Sequence, residues 1–287
     1  MHNQKKKTDS RIRENHDRIL IMKIAIIGAG NLGVSIATGI LNSKELNHLY
    51  LTKRNPTEIH NFKKYGNVII TSDNREAVKK SEILIFAVQP SQLEAILDNI
   101  KDLLTKKHLI ISTITGFSIA KIEAIIGSKH HIILCMPNTA ISVGKSMTCI
   151  CANETGEKRI NLAKAIFNKM GHTLEIPEEQ MQAATVICAS GIAFWMRLIR
   201  ATTQGAIQLG FDAKEAQELA MHTANGAAGL LIQSGSHPEA EIDKVTTPKG
   251  CTIQGLNEME HQGLSSSLIQ GIVASFEKIS RIKEGQL

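Results

Sequence analysis

The stretch from Lys23 to Gly33 most narrows what this chain can fold into. Apolar, β-branched residues Ile24 to Ile27 run directly into Gly28-Ala29-Gly30-Asn31-Leu32-Gly33, and Val34 to Leu41 then repeats apolar residues at helical spacing. A buried strand, a G-x-G-x-x-G turn and a helix start together form the opening of a dinucleotide-binding βαβ unit. Gly28 permits the tight turn, Gly30 lets backbone approach a pyrophosphate, and Gly33 lets the helix pack close to the strand. The helix N-terminus offers unpaired N–H groups and partial positive charge to the phosphates.

A second strand is expected at His48 to Thr52, followed by Lys53, Arg54, Asn55 and Pro56. NAD enzymes of this architecture place an acid on the ribose 2′-hydroxyl about 20 residues past the glycines. At this strand end there is none. Lys53 and Arg54 stand there instead, and Arg54 is suited to the 2′-phosphate of NADP through charge-assisted hydrogen bonds. The cofactor expected is therefore NADPH, with NADH possible.

Further strands are read at Val68–Ile70, Glu82–Val88, Leu109–Ile111, Ile132–Leu134, Met147–Cys151 and Thr173–Ile176. Asp73 or Asn74 is placed to cap a helix, and Ser91 to cap another after Pro90. In an open parallel sheet, ligands bind outside the carboxyl ends of the strands. The loops 87–90, 112–116 and 136–139 are therefore expected to line one site.

After Pro177 the texture turns helical, with segments 178–210, 212–234 and 264–281 rich in Ala, Gly, Leu and Ile. The fold class expected is α/β: a Rossmann-type dinucleotide-binding domain over 22–177, then an all-helical substrate and dimerisation domain over 178–287. One non-helical island, Val245 to Ile253, opens a helix near Thr252. A loop that presents free N–H groups at a helix start suits an anion, most simply a carboxylate.

Composition closes off other classes. Aromatics make up 3% of the 287 residues, too few for base-stacking platforms. Much of the formal charge of +6 sits in residues 1–21, read as a disordered basic tail ahead of a functional start at Met22. That segment has no apolar core of a secretory signal. Cysteines at 135, 149, 151, 188 and 251 show no metal or disulfide spacing. No apolar run approaches a membrane span. The expectation is a cytoplasmic protein with no nucleic-acid, membrane or metal partner.

The order of the motifs supports a closer comparison. The Gly28–Gly33 turn, Ala87-Val88-Gln89-Pro90, Met136-Pro-Asn138-Thr, Ser190-Gly191 and Thr247-Pro-x-Gly250-x-Thr252-Ile253 occur in one register. Together they resemble the pyrroline-5-carboxylate reductases from about Met22 to Ile282. The resemblance implies NAD(P)H-dependent reduction of 1-pyrroline-5-carboxylate to L-proline by a homodimer or larger homo-oligomer. By the same resemblance, cofactor contacts fall on Ala87, Val88, Gln89, Pro90, Thr113, Ile114 and Thr115, with Asn74 near the ribose. Met136 and Asn138 shape the floor of the site, Ser190 lies beside it, and Lys249, Gly250, Cys251 and Thr252 hold the substrate carboxylate. The Thr252 hydroxyl matches the position that hydrogen-bonds the ring nitrogen or carboxylate.

Three positions depart from the family pattern. Ile192 replaces a proline, Gln89 a lysine, and Lys249 a glycine that is strained as lysine if the backbone there needs φ > 0. These departures leave room for a related cyclic imine as substrate, or for a non-catalytic NADP-binding regulator. Hydroxyacid dehydrogenases of similar layout rely on a lysine early in the helical domain, to take the proton of the alcohol. No lysine occurs between Lys169 and Lys214.

Overall fold

A computed structural model describes residues 23–43 and 48–283. The expected basic tail lies outside them. Eight strands form one sheet: β1 (Lys23–Ile27), β2 (His48–Thr52), β3 (Val68–Thr71), β4 (Ile83–Phe86), β5 (Leu109–Ser112), β6 (His131–Met136), β7 (Ser146–Ala152) and β8 (Gly171–Glu175). Their order is β3-β2-β1-β4-β5-β6-β7-β8. The strands β1 to β6 pair in parallel. The expected open parallel sheet holds through β6 and changes at its far edge, where β7 runs antiparallel to β6 and β8 follows β7 in parallel. Only residues 137–145 join β6 to β7, too short a connection for a parallel crossover.

Both sheet faces are covered because side chains alternate along each strand. Ile24 and Ile26 pack with Ile36, Ala37 and Ile40 of the helix Asn31–Asn42 and with Phe167 and Met170. Ala25 and Ile27 face the opposite layer, with Ala77, Val78, Leu93 and Leu97. The chain lays β2 and β3 on one side of β1 and then returns to place β4 on the other. That reversal leaves a crevice at the carboxyl ends of β1 and β4, where doubly wound sheets bind ligands.

By its contacts the chain divides into two units, one holding the sheet, the residues through Ala189 and those from Lys278 onward, the other Ser190–Glu277. Secondary structure changes at Glu178, as expected, yet Glu178–Ala189 belongs with the sheet unit. Met181 is the reason, buried in the second layer beneath the strands. The second unit contains the helices Gly191–Gln208, Ala213–Ser234, Pro238–Val245 and Cys251–His261. Pro238–Val245 escaped the sequence reading, and its helix start is set by Pro238 at the first position and by His237 accepting from the Glu239 N–H.

The expectation about apolar runs needs a correction. The helical run Glu178–Gln208, 31 residues, is long and apolar enough to cross a membrane by length and composition alone. Ala, Val, Cys and Ile raise its mean hydropathy without forming an unbroken apolar string.

Candidate functional site

The crevice at the sheet reversal has a volume of about 890 Å³ and is walled by Gly28, Ala29, Gly30, Thr52, Lys53, Arg54, Asn55, Asn74, Ala87, Val88 and Gln89 among others. Sequence reasoning named all of these except Thr52. The turn that shapes the crevice is held by Thr52, whose hydroxyl accepts the Gly28 N–H at 3.2 Å. The Thr52 carbonyl accepts the Ala29 N–H at 2.8 Å. Gly28 has φ 99°, and a Cβ there would lie 2.4 Å from a Val88 methyl and 2.9 Å from the Ala87 carbonyl oxygen. A Cβ on Gly33 would lie 2.2 Å from the Gly28 carbonyl oxygen. Gly30 is different: a Cβ there would meet nothing within 4 Å, so its bare backbone faces open space.

The helix Asn31–Asn42 begins against that space with no side-chain cap and no acid in its first turn. Its first hydrogen bond runs from the Val34 N–H to the Gly30 carbonyl at 2.8 Å. The N–H groups of Asn31, Leu32 and Gly33 therefore have no acceptor within the helix. A roomy crevice, a bare Gly30 and an uncapped helix start fit a pyrophosphate. Leu32 itself packs against the core, so it contributes backbone alone.

At the far wall Asn55 accepts from the Thr57 N–H and hydroxyl and so fixes the turn Pro56–Lys64. That turn brings Glu58 into the crevice, where its carboxylate meets Lys53 Nζ at 2.8 Å. The hydrogen bond and charge of Lys53 hold the Glu58 carboxyl below the usual carboxylate range. Sequence reasoning found no acid at the end of β2 and missed Glu58, which the turn folds back from four residues beyond Arg54. Arg54 is exposed and makes no ion pair with a described residue. The helix cap expected from Ser91 is corrected too. Gln89 is the capping position, Pro90 the first helical residue, and the Gln92 side chain accepts the Gln89 N–H at 3.3 Å.

The expected single site for the loops 87–90, 112–116 and 136–139 divides in the structure. Ala87, Val88 and Gln89 line the crevice, whereas Ile114, Gly116 and Met136 line a separate cavity of about 340 Å³ with Phe117, Glu178 and Met181. The Thr113 hydroxyl is spent on the Phe86 carbonyl at 2.9 Å, and the Thr115 hydroxyl lies 3.8 Å from Met136 Sδ. Asn138 is buried, and both ends of its amide are used within the fold. Its oxygen accepts the Ala140 N–H at 3.0 Å and its nitrogen donates to the Cys188 carbonyl at 3.0 Å. Cys188 itself lies 3.8 Å from Cys149, sulfur to sulfur. Hydrogen bonding with Cys149 holds the Cys188 thiol below its ordinary value. Ser190 ends a π-helical segment, Thr185–Ser190, a local form frequent at functional sites.

Within the second unit, Lys249, Gly250, Cys251 and Thr252 form the expected turn into a helix. Lys249 has φ 61°, the one positive φ outside glycine among the described residues. The Gly250 N–H donates to the Thr247 carbonyl at 2.9 Å, so it is not the free donor the sequence suggested. The helix Cys251–His261 has no side-chain cap and no acid in its first turn. The N–H groups of Cys251, Thr252 and Ile253 thus remain without intrahelical acceptors.

Known proteins share both halves of this arrangement. The family model described as pyrroline-5-carboxylate reductase dimerisation matches residues 178–282. One described as NADP oxidoreductase, coenzyme F420-dependent, matches residues 23–116. Pyrroline-5-carboxylate reductase 1 of Dictyostelium discoideum is 45% identical over 90% of this chain, which spans about half, 49%, of that relative. Pyrroline-5-carboxylate reductase 2 of the same organism is 44% identical over 90% of this chain and 92% of its own length. The crystal structure of Plasmodium falciparum pyrroline carboxylate reductase with NADP bound matches at TM-score 0.81 and 27% identity, covering 91% of this chain and 98% of that one.

Proposed function

Because the chain belongs to the pyrroline-5-carboxylate reductase family, we propose that it catalyses the NADPH-dependent reduction of 1-pyrroline-5-carboxylate to L-proline. The observation that carries this reading is the crevice built on Gly28, Gly30 and Gly33, in a chain whose relatives of matching length bear that name. NADPH, when bound, supplies the hydride that reduces the carbon of the C=N bond. The protein's part is binding and orientation. The free N–H groups of Asn31, Leu32 and Gly33 hold the pyrophosphate, and Arg54 holds the 2′-phosphate by charge-assisted hydrogen bonds. Asn74 stands by the ribose, and Ala87 to Pro90 border the nicotinamide side.

The imine nitrogen is readily protonated, so no strong protein acid is required. Holding the ring against the nicotinamide supplies most of the acceleration, through the effective concentration of the two reactants. The Cys251 and Thr252 N–H groups receive the substrate carboxylate at the helix start, with Lys249 adding its charge. The Thr252 hydroxyl is assigned to the ring nitrogen or the carboxylate. Met136, Asn138 and Ser190 act as supports: Asn138, with its amide already engaged, ties the β6 end to the Cys188 carbonyl rather than touching substrate. The enzyme works as a homodimer or larger homo-oligomer through the helical unit and resides in the cytoplasm. The apolar side of the run 178–208 serves that assembly and not a membrane.

NADPH oxidation followed at 340 nm with racemic pyrroline-5-carboxylate tests the reading, with NADH in parallel. Turnover with both, faster with NADPH, is expected, and Thr252→Ala should lower kcat/KM at least about tenfold while NADPH still binds, the range for loss of one positioned hydrogen bond. A folded wild-type protein that binds NADPH and reduces no imine would leave a regulator instead. An unchanged kcat/KM in the variant would remove Thr252 from the site.

A further inference from the structure

Beside Arg54, the rim of the crevice carries an ion pair to which the proposed reaction gives no role. Arg54 is a cation without an ion pair among the described residues, Lys53 is a cation already paired, and Glu58 is the anion that pairs it at 2.8 Å. Glu58 is held where it is by more than that pair. Asn55 anchors the turn through the Thr57 hydroxyl at 2.6 Å, and the Glu58 N–H donates to the Asn55 carbonyl at 3.3 Å. Pro56 fixes φ at the start of the same turn. Lys53 keeps the carboxyl below its usual range.

In dinucleotide sites an acid at the end of β2 accepts the free ribose 2′-hydroxyl, and a cation there receives the 2′-phosphate. This crevice has both, the acid arriving from the turn and not from the strand end. We propose that Glu58 is a specificity-determining residue that sets the balance between the two forms of the cofactor. Its carboxylate serves as acceptor for the 2′-hydroxyl of NADH, and it competes with the 2′-phosphate of NADPH for Lys53. With Glu58 in place, NADPH binding rests mainly on Arg54 and pays a like-charge repulsion against the carboxylate. The inference rests on the proposed function only in taking the crevice as the dinucleotide site.

Direct titration of cofactor fluorescence gives Kd for NADPH and NADH without any imine present. In Glu58→Gln, NADPH should bind more tightly and NADH more weakly. The ratio of the two Kd values is then expected to move about tenfold toward NADPH, the scale for exchanging one charged contact at a polar rim. The same substitution in a Lys53→Met background separates the two roles: loss of NADH binding persists if the carboxylate contacts the hydroxyl itself. Both cofactors binding with a ratio that stays within about twofold of wild type would overturn the assignment of Glu58 and leave the dinucleotide site standing. Loss of the NADH effect in the Lys53→Met background would overturn the hydroxyl contact. A wild-type protein that binds neither cofactor would remove the dinucleotide reading and the inference with it.

Discussion

Lys249 spends conformational energy at the place where substrate is expected. An L-residue in the left-handed region costs about 1–2 kcal/mol, and φ at Lys249 is 61°. Glycine would remove that cost while adding about 0.4–1 kcal/mol of unfolded-chain entropy. Lys249→Gly should therefore stabilise the fold by up to about 1.5 kcal/mol in urea denaturation, and raise KM for the imine if the ammonium assists the carboxylate. Destabilisation would mean that the side chain makes a contact outweighing the strain. The sequence made this residue legible, because a lysine in a turn that resembles a glycine-containing one poses the question of φ directly. It made Gly28, Gly30 and Gly33 legible for the same reason: each does its work by having no Cβ. Residues that act through a fold-dependent partner were hidden. Glu58 reaches the crevice through the turn after β2, and both ends of the Asn138 amide are claimed by groups at Ala140 and Cys188. Spacing along the chain records neither.

The helix Asn31–Asn42 is positioned for phosphate by one close approach. Gly33 sits where a methyl group would lie 2.2 Å from the Gly28 carbonyl oxygen, and the obstacle is backbone, which cannot rotate aside. Gly33→Ala must lift the helix off β1 or distort the Gly28 turn. Overpacking of that kind costs about 1–3 kcal/mol. The expected outcome is a lowered Tm together with a loss of NADPH affinity in direct titration. Unaltered affinity would show that the helix start can move without disturbing the cofactor site. Elements whose sequence pattern is local were read correctly: β4 and β5 are buried apolar runs, and β1 is fixed by the glycines that end it. Strand direction is not local. Nothing in Met147 to Cys151 distinguishes a strand antiparallel to its neighbour from a parallel one, and only the short connection 137–145 decides it. Pro238–Val245 was missed because it is short and offers only Ile242 and Val245 as large apolar side chains, too few to establish a helical period. The boundary near Glu178 marked the end of the strands but not the end of the sheet unit, since Met181 still packs beneath them.

The second unit, taken whole, lacks the interior that would let it stand as a single copy. The helix Gly191–Gln208 buries only Gly191 and Thr203, and Ala213–Ser234 only Ala216 and Ala220. Pro238–Val245 and Cys251–His261 bury nothing. Meanwhile Trp195, Met196, Leu230 and Ile232 are exposed, Ile232 at 82% and Trp195 at 64%. Helices hold their place in water mainly by burying an apolar face, and these faces have no cover within the described chain. The matching family model is one of dimerisation, in line with the homo-oligomer proposed above, in which a second copy would supply the missing cover. Obligate interfaces of this apolar kind commonly bury about 2,000–5,000 Å², so assembly should be part of folding and Tm should rise with protein concentration. The chain offers its own reporter, because Trp195 is its single tryptophan. In the assembled protein the indole should emit to the blue of a solvated tryptophan. Leu230→Glu combined with Ile232→Glu should shift emission to the red, halve or further reduce the mass by sedimentation, and lower Tm. A wild-type protein that sediments as a monomer at micromolar concentration, with Tm independent of dilution, would mean that these faces are stable in water uncovered.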